Sequence, residues 1–149
     1  MDISIKQIRI GYRLGVYDYD DVQNWVNFQV LQKDEINNEL LDLSFTKRND
    51  NHEIYSLLCT IPGSSEDDES LISALGDLKD VELNNLKFCC KLAEKLYAYY
   101  VDKDYEVDEK LNEISFLDDA YDLALQGIGD TVESWHARFR EFIYELRSC

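Results

Sequence analysis

Three aspartates in the segment DDAYD have the residue type and spacing that could bind a metal ion. Asp118 and Asp122 are four residues apart, so a helix would place both on one face, with Asp119 beside them. Carboxylate oxygens suit Mg²⁺, and the pattern Asp-Asp-x-x-Asp occurs in enzymes that bind magnesium diphosphate. Such enzymes also need a second acidic motif and a much longer chain. We therefore expect a solvated acidic face, with a small metal-dependent hydrolase as the remote alternative.

Other groups that could carry chemistry are sparse. Four consecutive acids at 66–69 lack the alternating oxygen ligands, central glycine and distal glutamate of a calcium loop. His52 and His136 are the only histidines, and no glycine-rich phosphate loop occurs. The cysteines show no zinc or redox spacing and are expected to be free, mostly buried thiols: Cys59, Cys89, Cys90 and Cys149. We expect no enzyme activity, no catalytic residue, no metal ion and no cofactor.

Net charge is the strongest signal in the composition. The chain has 31 acidic and 15 basic residues, which gives a formal charge of −16 on 149 residues. Such a surface repels nucleic acid and anionic membranes and favours a basic protein partner. The N-terminal segment lacks the pattern of a secretion signal, and no apolar run is long enough to span a membrane. We therefore expect a cytoplasmic protein that binds neither nucleic acid nor membrane.

The elements that must position these residues are expected to be helices. One proline and six glycines are too few turn formers for a small all-β domain, and 45% hydrophobic residues can build a core. We predict an all-α fold, a single domain over 1–149 with six to seven helices and an exposed acidic loop at 62–70. The predicted helical segments are 2–14, a helix capped by Asp18 or Asp20, 34–43, a short apolar segment through 54–61, 81–102, 107–126 and 132–147.

The helix predicted over 81–102 carries two apolar rows. The main stripe consists of Leu83, Leu86, Cys90, Ala93, Tyr97 and Tyr100. The second row consists of Phe88, Leu92, Leu96 and Tyr99. A helix that is apolar over so much of its circumference is expected to be central to the core.

Tyrosines and acids alternate where this helix ends. Aromatic side chains on an acidic surface are good anchors for protein recognition. We predict a partner-binding face made of Tyr99, Tyr100, Asp102, Asp104, Tyr105, Glu106, Asp108 and Glu109.

Two segments carry a family resemblance. These are IKQIRIGYRLGVYDYDDVQNWV at 5–26 and FCCKLAEKLYAYYVDKDYEVDEKLNEISFL at 88–117. They resemble a small, uncharacterised family of bacterial proteins found with polymorphic toxin systems and regarded as candidate immunity proteins. The resemblance implies a cytoplasmic protein that neutralises a cognate toxin domain by direct binding, and it carries over no catalytic residue. The alternative is a helical adaptor or regulatory subunit unrelated to toxins.

Overall fold

The structure is a computed structural model, and it describes residues 2–32 and 38–147. All regular structure in these residues is helical, so the all-α prediction is confirmed. The described residues form nine α-helices and one 3-10 turn, more than the six to seven helices predicted. The helices are α1 (Ile5–Leu14), α2 (Tyr19–Gln32), α3 (Asn38–Ser44), α4 (Asn51–Thr60), α5 (Asp68–Gly76), α6 (Asp80–Leu83), α7 (Leu86–Asp102), α8 (Ile114–Leu125) and α9 (Val132–Arg147). The 3-10 turn is Glu109–Leu111.

The additional helices come from breaks within predicted helices and from α5, which the sequence did not indicate. The helix predicted over 81–102 is interrupted before α7, because the Asn85 side chain accepts a hydrogen bond from the Phe88 amide at 3.1 Å and caps a new helix. The helix predicted over 107–126 is likewise divided. Asp108 caps the 3-10 turn by accepting from the Lys110 amide, and α8 begins after it.

The chain divides into two compact units, Met1–Ala74 and Leu75–Cys149, and each is described by itself. The single domain expected over 1–149 stays a prediction. None of the helices in the described ranges has the length and apolar character needed to cross a membrane.

In the first unit, α1 packs against α2 and α4, and α3 packs against both α2 and α4. The α1 helix is capped by Ser4, whose Oγ accepts from the Gln7 amide at 3.1 Å, so it begins three residues later than the predicted segment 2–14. Asp18 caps α2 as predicted, because its side chain accepts from the Asp21 amide at 2.9 Å. The start of the helix predicted over 34–43 lies outside the described residues, and the described part is α3.

The acidic segment 62–70, predicted as an exposed loop, is exposed in part, at Pro62, Gly63, Ser65 and Glu69. Ser64 and Ser70 are buried, and the last three residues belong to α5. The side chain of Glu66 is 13% exposed and accepts hydrogen bonds from Arg13 at 2.6 Å and from the Tyr55 hydroxyl at 3.0 Å. The segment is therefore anchored to α1 and α4 by its own acidic residues.

In the second unit, α7 packs against α6, α8 and α9. The bounds of α9 match the prediction, as does its buried face of Trp135, Phe139, Phe142, Ile143 and Leu146. On α7 the order of the two predicted rows is reversed. The buried residues are Cys89, Leu92, Ala93, Leu96 and Tyr99, whereas Leu86, Cys90, Tyr97 and Tyr100 of the predicted main stripe are only half-buried. The second row therefore faces the core.

Candidate functional site

The end of α7 has an unusual backbone. Asp104 and Tyr105 follow one another with φ of 54° and 64°, in the left-handed region that glycine usually occupies. The Asp104 amide donates to the Val101 carbonyl at 2.9 Å, and the Tyr105 amide donates to the Tyr100 carbonyl at 3.0 Å. Each non-glycine residue in this conformation costs about 1 kcal/mol. The chain terminates α7 at this cost, and it keeps an aromatic side chain at the turn.

Three tyrosine rings meet at this turn. The Tyr105 side chain is 59% exposed, and its ring lies edge-on to that of Tyr100, with centroids 5.3 Å apart. The Tyr97 ring lies 6.3 Å from that of Tyr100, and both residues are half-buried. We call Tyr97, Tyr100 and Tyr105 the tyrosine cluster. In this cluster the exposed ring is that of Tyr105, and the other two rings belong to residues of α7.

Tyr99 does not belong to the surface on which we predicted it. Its side chain is 1% exposed, because it continues the buried row of Leu92 and Leu96 on α7. Successive residues on a helix point about 100° apart, so burial of Tyr99 leaves Tyr100 near the boundary of the core. Of the other seven predicted residues, Tyr100 is half-buried and six are exposed: Asp102, Asp104, Tyr105, Glu106, Asp108 and Glu109. We call these seven residues the Tyr105 face.

The negative charge of the second unit is concentrated in one stretch of sequence. Residues 102–130 contain ten acidic and two basic residues. The rest of 75–149 contains seven acidic and seven basic residues, so the entire net charge of this unit, −8, lies in 102–130. All residues of the Tyr105 face except Tyr100 lie in the first third of that stretch.

Most acids of this stretch are not paired with a cation among residues 2–32 and 38–147. Glu113 and Asp130 each pair with Arg138 at 3.4 Å. Six others have no lysine, arginine or histidine of the described residues within 4 Å: Asp104, Glu106, Glu109, Asp118, Asp119 and Asp122. These carboxylates are therefore available to attract a cationic partner.

The acids of α8 repel one another. Burial raises the pKa of Asp118, and the neighbouring charges of Asp122, Asp119 and Glu94 raise it further. Burial also raises the pKa of Tyr97, with added contributions from Tyr105, Asp119 and Asp118. Tyr97 lies on α7, which packs against α8, so this member of the tyrosine cluster lies in the negative field of the α8 acids.

The same three aspartates are not arranged as metal ligands. Within residues 2–32 and 38–147, no group of three histidine, cysteine, aspartate or glutamate side chains could hold a metal ion. Asp118 is half-buried, whereas Asp119 and Asp122 are exposed. Asp119 and Asp122 therefore lie on a solvated face, whereas Asp118 is partly withdrawn from solvent.

The thiols and the second histidine have structural contacts. Burial raises the pKa of Cys89 to about 11, and its Sγ lies 3.3 Å from the Leu83 carbonyl. His136 Nε2 lies 2.7 Å from the same carbonyl, so this nitrogen carries the hydrogen. Cys90 shares a hydrogen bond with Tyr121, whose pKa is raised to about 12. The raised pKa values keep the two thiols and the Tyr121 hydroxyl protonated near neutral pH. Cys149 lies outside the described residues.

Comparisons of the chain with protein-family models, curated proteins and solved structures found no significant match. The candidate site is therefore described from its own residues and their contacts. Sequence reasoning placed the turn after α7 at the surface, but it missed the α8 acids as neighbours of the tyrosine cluster. A count of the charged residues over 102–130 would have indicated that the α8 acids belong to the same acidic stretch.

Proposed function

We propose that this protein is an immunity protein that binds a basic bacterial toxin domain through the Tyr105 face and thereby neutralises it in the cytoplasm. The observation that carries the proposal is an exposed tyrosine flanked in sequence by two acids, neither of which pairs with a cation of the described residues. Tyr105 is 59% exposed, and neither Asp104 nor Glu106 has a cation of the described residues within 4 Å. The resemblance of 5–26 and 88–117 to candidate immunity proteins supplies the toxin as the partner.

The chemistry of such a partner fits this face. A toxin that acts on nucleic acid must present positive charge to phosphates, and that same surface is attracted to uncompensated carboxylates. Charge complementarity raises the association rate, whereas an aromatic anchor that becomes buried in the complex slows dissociation. The acids and Tyr105 therefore have separable roles.

The experiment begins with the product of the neighbouring gene as the candidate partner. Association rates are measured over a series of salt concentrations, and protection is measured by co-expression with the toxin in bacteria. The test variant combines Asp102→Asn, Asp104→Asn, Glu106→Gln and Glu109→Gln. Asp108 is kept because its side chain caps the 3-10 turn. We expect association to slow by about tenfold at low salt and its salt dependence to flatten.

A matched control removes four exposed acids of the first unit: Asp2→Asn, Asp42→Asn, Asp50→Asn and Glu53→Gln. It changes the net charge by the same amount, so a general charge effect slows both variants equally. Equal slowing would contradict the Tyr105 face as the binding surface. A partner that binds the face but has no toxicity to be neutralised would favour the adaptor or regulatory subunit instead.

A further inference from the structure

Arginines of this chain are held in a recurring arrangement. Four arginines of the described residues lie over an aromatic ring, and each also lies within 4 Å of a carboxylate. The four sets are Arg9 with Tyr55 and Glu66, Arg48 with Tyr19 and Asp20, Arg138 with Phe116 and Glu113, and Arg147 with Tyr144 and Asp80. A ring and an acid together are thus the usual setting of an arginine here.

The set around Arg48 shows that two consecutive residues can hold an arginine side chain. Tyr19 and Asp20 are consecutive residues, and the Arg48 guanidinium carbon lies 5.0 Å from the Tyr19 ring centroid. Arg48 Nη1 and Nη2 donate to Asp20 Oδ2 and Oδ1 at 3.1 and 2.8 Å. The side chains of Arg48 and Asp20 are both 62% exposed. In this set, a tyrosine followed by an acid holds an arginine at a solvated surface.

Tyr105 and Glu106 repeat this tyrosine-acid dipeptide, with Asp104 on the other side, but hold no arginine of this chain. The two arginines not yet assigned to a ring are also engaged, Arg13 with Glu66 and Arg140 with Asn84. Tyr100 and Tyr105 contact each other, and no cation of the described residues lies over either ring.

We propose that Tyr105, Asp104 and Glu106 form a site for an arginine side chain of the basic partner. This inference rests on the proposed function. A planar guanidinium stacks on a ring while the N–H groups at its edge donate to carboxylates, and an ammonium group cannot do both as a fork. The site therefore discriminates arginine from lysine, which charge attraction alone does not.

The experiment uses the full chain and two peptides of equal charge, hexaarginine and hexalysine, at ~150 mM salt. Affinities are measured by calorimetry, and the site is located by NMR shifts of the amides of 104–106. We expect hexaarginine to bind about fivefold more tightly than hexalysine. Tyr105→Leu should reduce that ratio to about one. The matched control is Tyr144→Leu, at an exposed ring that already carries Arg147, and it should keep the ratio.

Equal affinity for the two peptides, or binding of neither, overturns the arginine site. A preference that survives Tyr105→Leu overturns it as well, because the arginine would then bind elsewhere. Equal binding that the fourfold acid variant weakens more than its control would leave the proposed acidic face standing, so the two failures are distinguishable. Binding of the toxin domain itself is measured separately.

Discussion

The left-handed backbone at Tyr105 leads to a prediction about stability: glycine at this position should be more stable than alanine. Tyr105→Ala removes the edge-on contact with Tyr100, a ring pair with centroids 5.3 Å apart. Such pairs contribute about 1 kcal/mol, and alanine at φ of 64° keeps the backbone cost. Tyr105→Gly loses the same contact but is relieved of about 1 kcal/mol of that backbone cost. We therefore expect the alanine variant to be less stable than the parent by about 1 kcal/mol and the glycine variant to be close to the parent.

The assay is thermal and denaturant unfolding of the two variants beside the parent protein. The expected difference between glycine and alanine is about 1 kcal/mol, or about 3 °C in Tm for a chain of this size. Glu106→Ala and Glu106→Gly form the control pair, since Glu106 is not among the residues with positive φ. There glycine should be the less stable substitution. If Tyr105→Gly is no more stable than Tyr105→Ala, the strain attributed to this turn is refuted.

Two further predictions concern single residues. Asp118→Asn should raise Tm at pH 7. Burial, and to a smaller extent the charges of Asp122 and its neighbours, raise the pKa of Asp118 in the folded state. Its ionised form therefore destabilises the folded protein at pH 7. The gain should shrink as pH falls through that raised pKa and vanish below about pH 4, where both states are protonated; a gain that persists at pH 3 would contradict this. Gly11→Ala should destabilise the first unit by about 1–3 kcal/mol in denaturant unfolding, because a Cβ there would lie 2.2 Å from the Tyr17 ring; an unchanged midpoint would contradict the close approach.

The sequence predicted those helices whose ends are marked by local chemistry. The bounds of α9 were predictable because Thr131 accepts from the Ser134 amide, and because glycines with φ of 75° and 78° at Gly127 and Gly129 end the preceding segment. The break before α7 was missed because the residues on both sides of Asn85 continue one apolar pattern. Only the hydrogen bond to the Phe88 amide distinguishes the cap from a helix interior.

Burial was less predictable than helix position. Both rows of α7 are apolar, so spacing alone could not show that Tyr99 faces the core while Tyr100 lies at its boundary. The anchoring of Glu66 depends on Arg13, which is 53 residues away in the sequence. From the sequence alone, an acidic run is interpreted as a solvated loop, because only the tertiary structure shows which cation lies beside it. The exposure of Tyr105, by contrast, followed from its position beyond the end of the helix.

The measurement that tests the central claim most directly is the dissociation rate of Tyr105→Gly from the cognate toxin domain. This variant should be as stable as the parent, so a loss of binding cannot be attributed to unfolding. We predict that dissociation becomes at least about tenfold faster, as expected for the loss of a buried aromatic anchor, with little change in the association rate. An unchanged dissociation rate, with protection against the toxin intact, would contradict the claim that the Tyr105 face binds the partner.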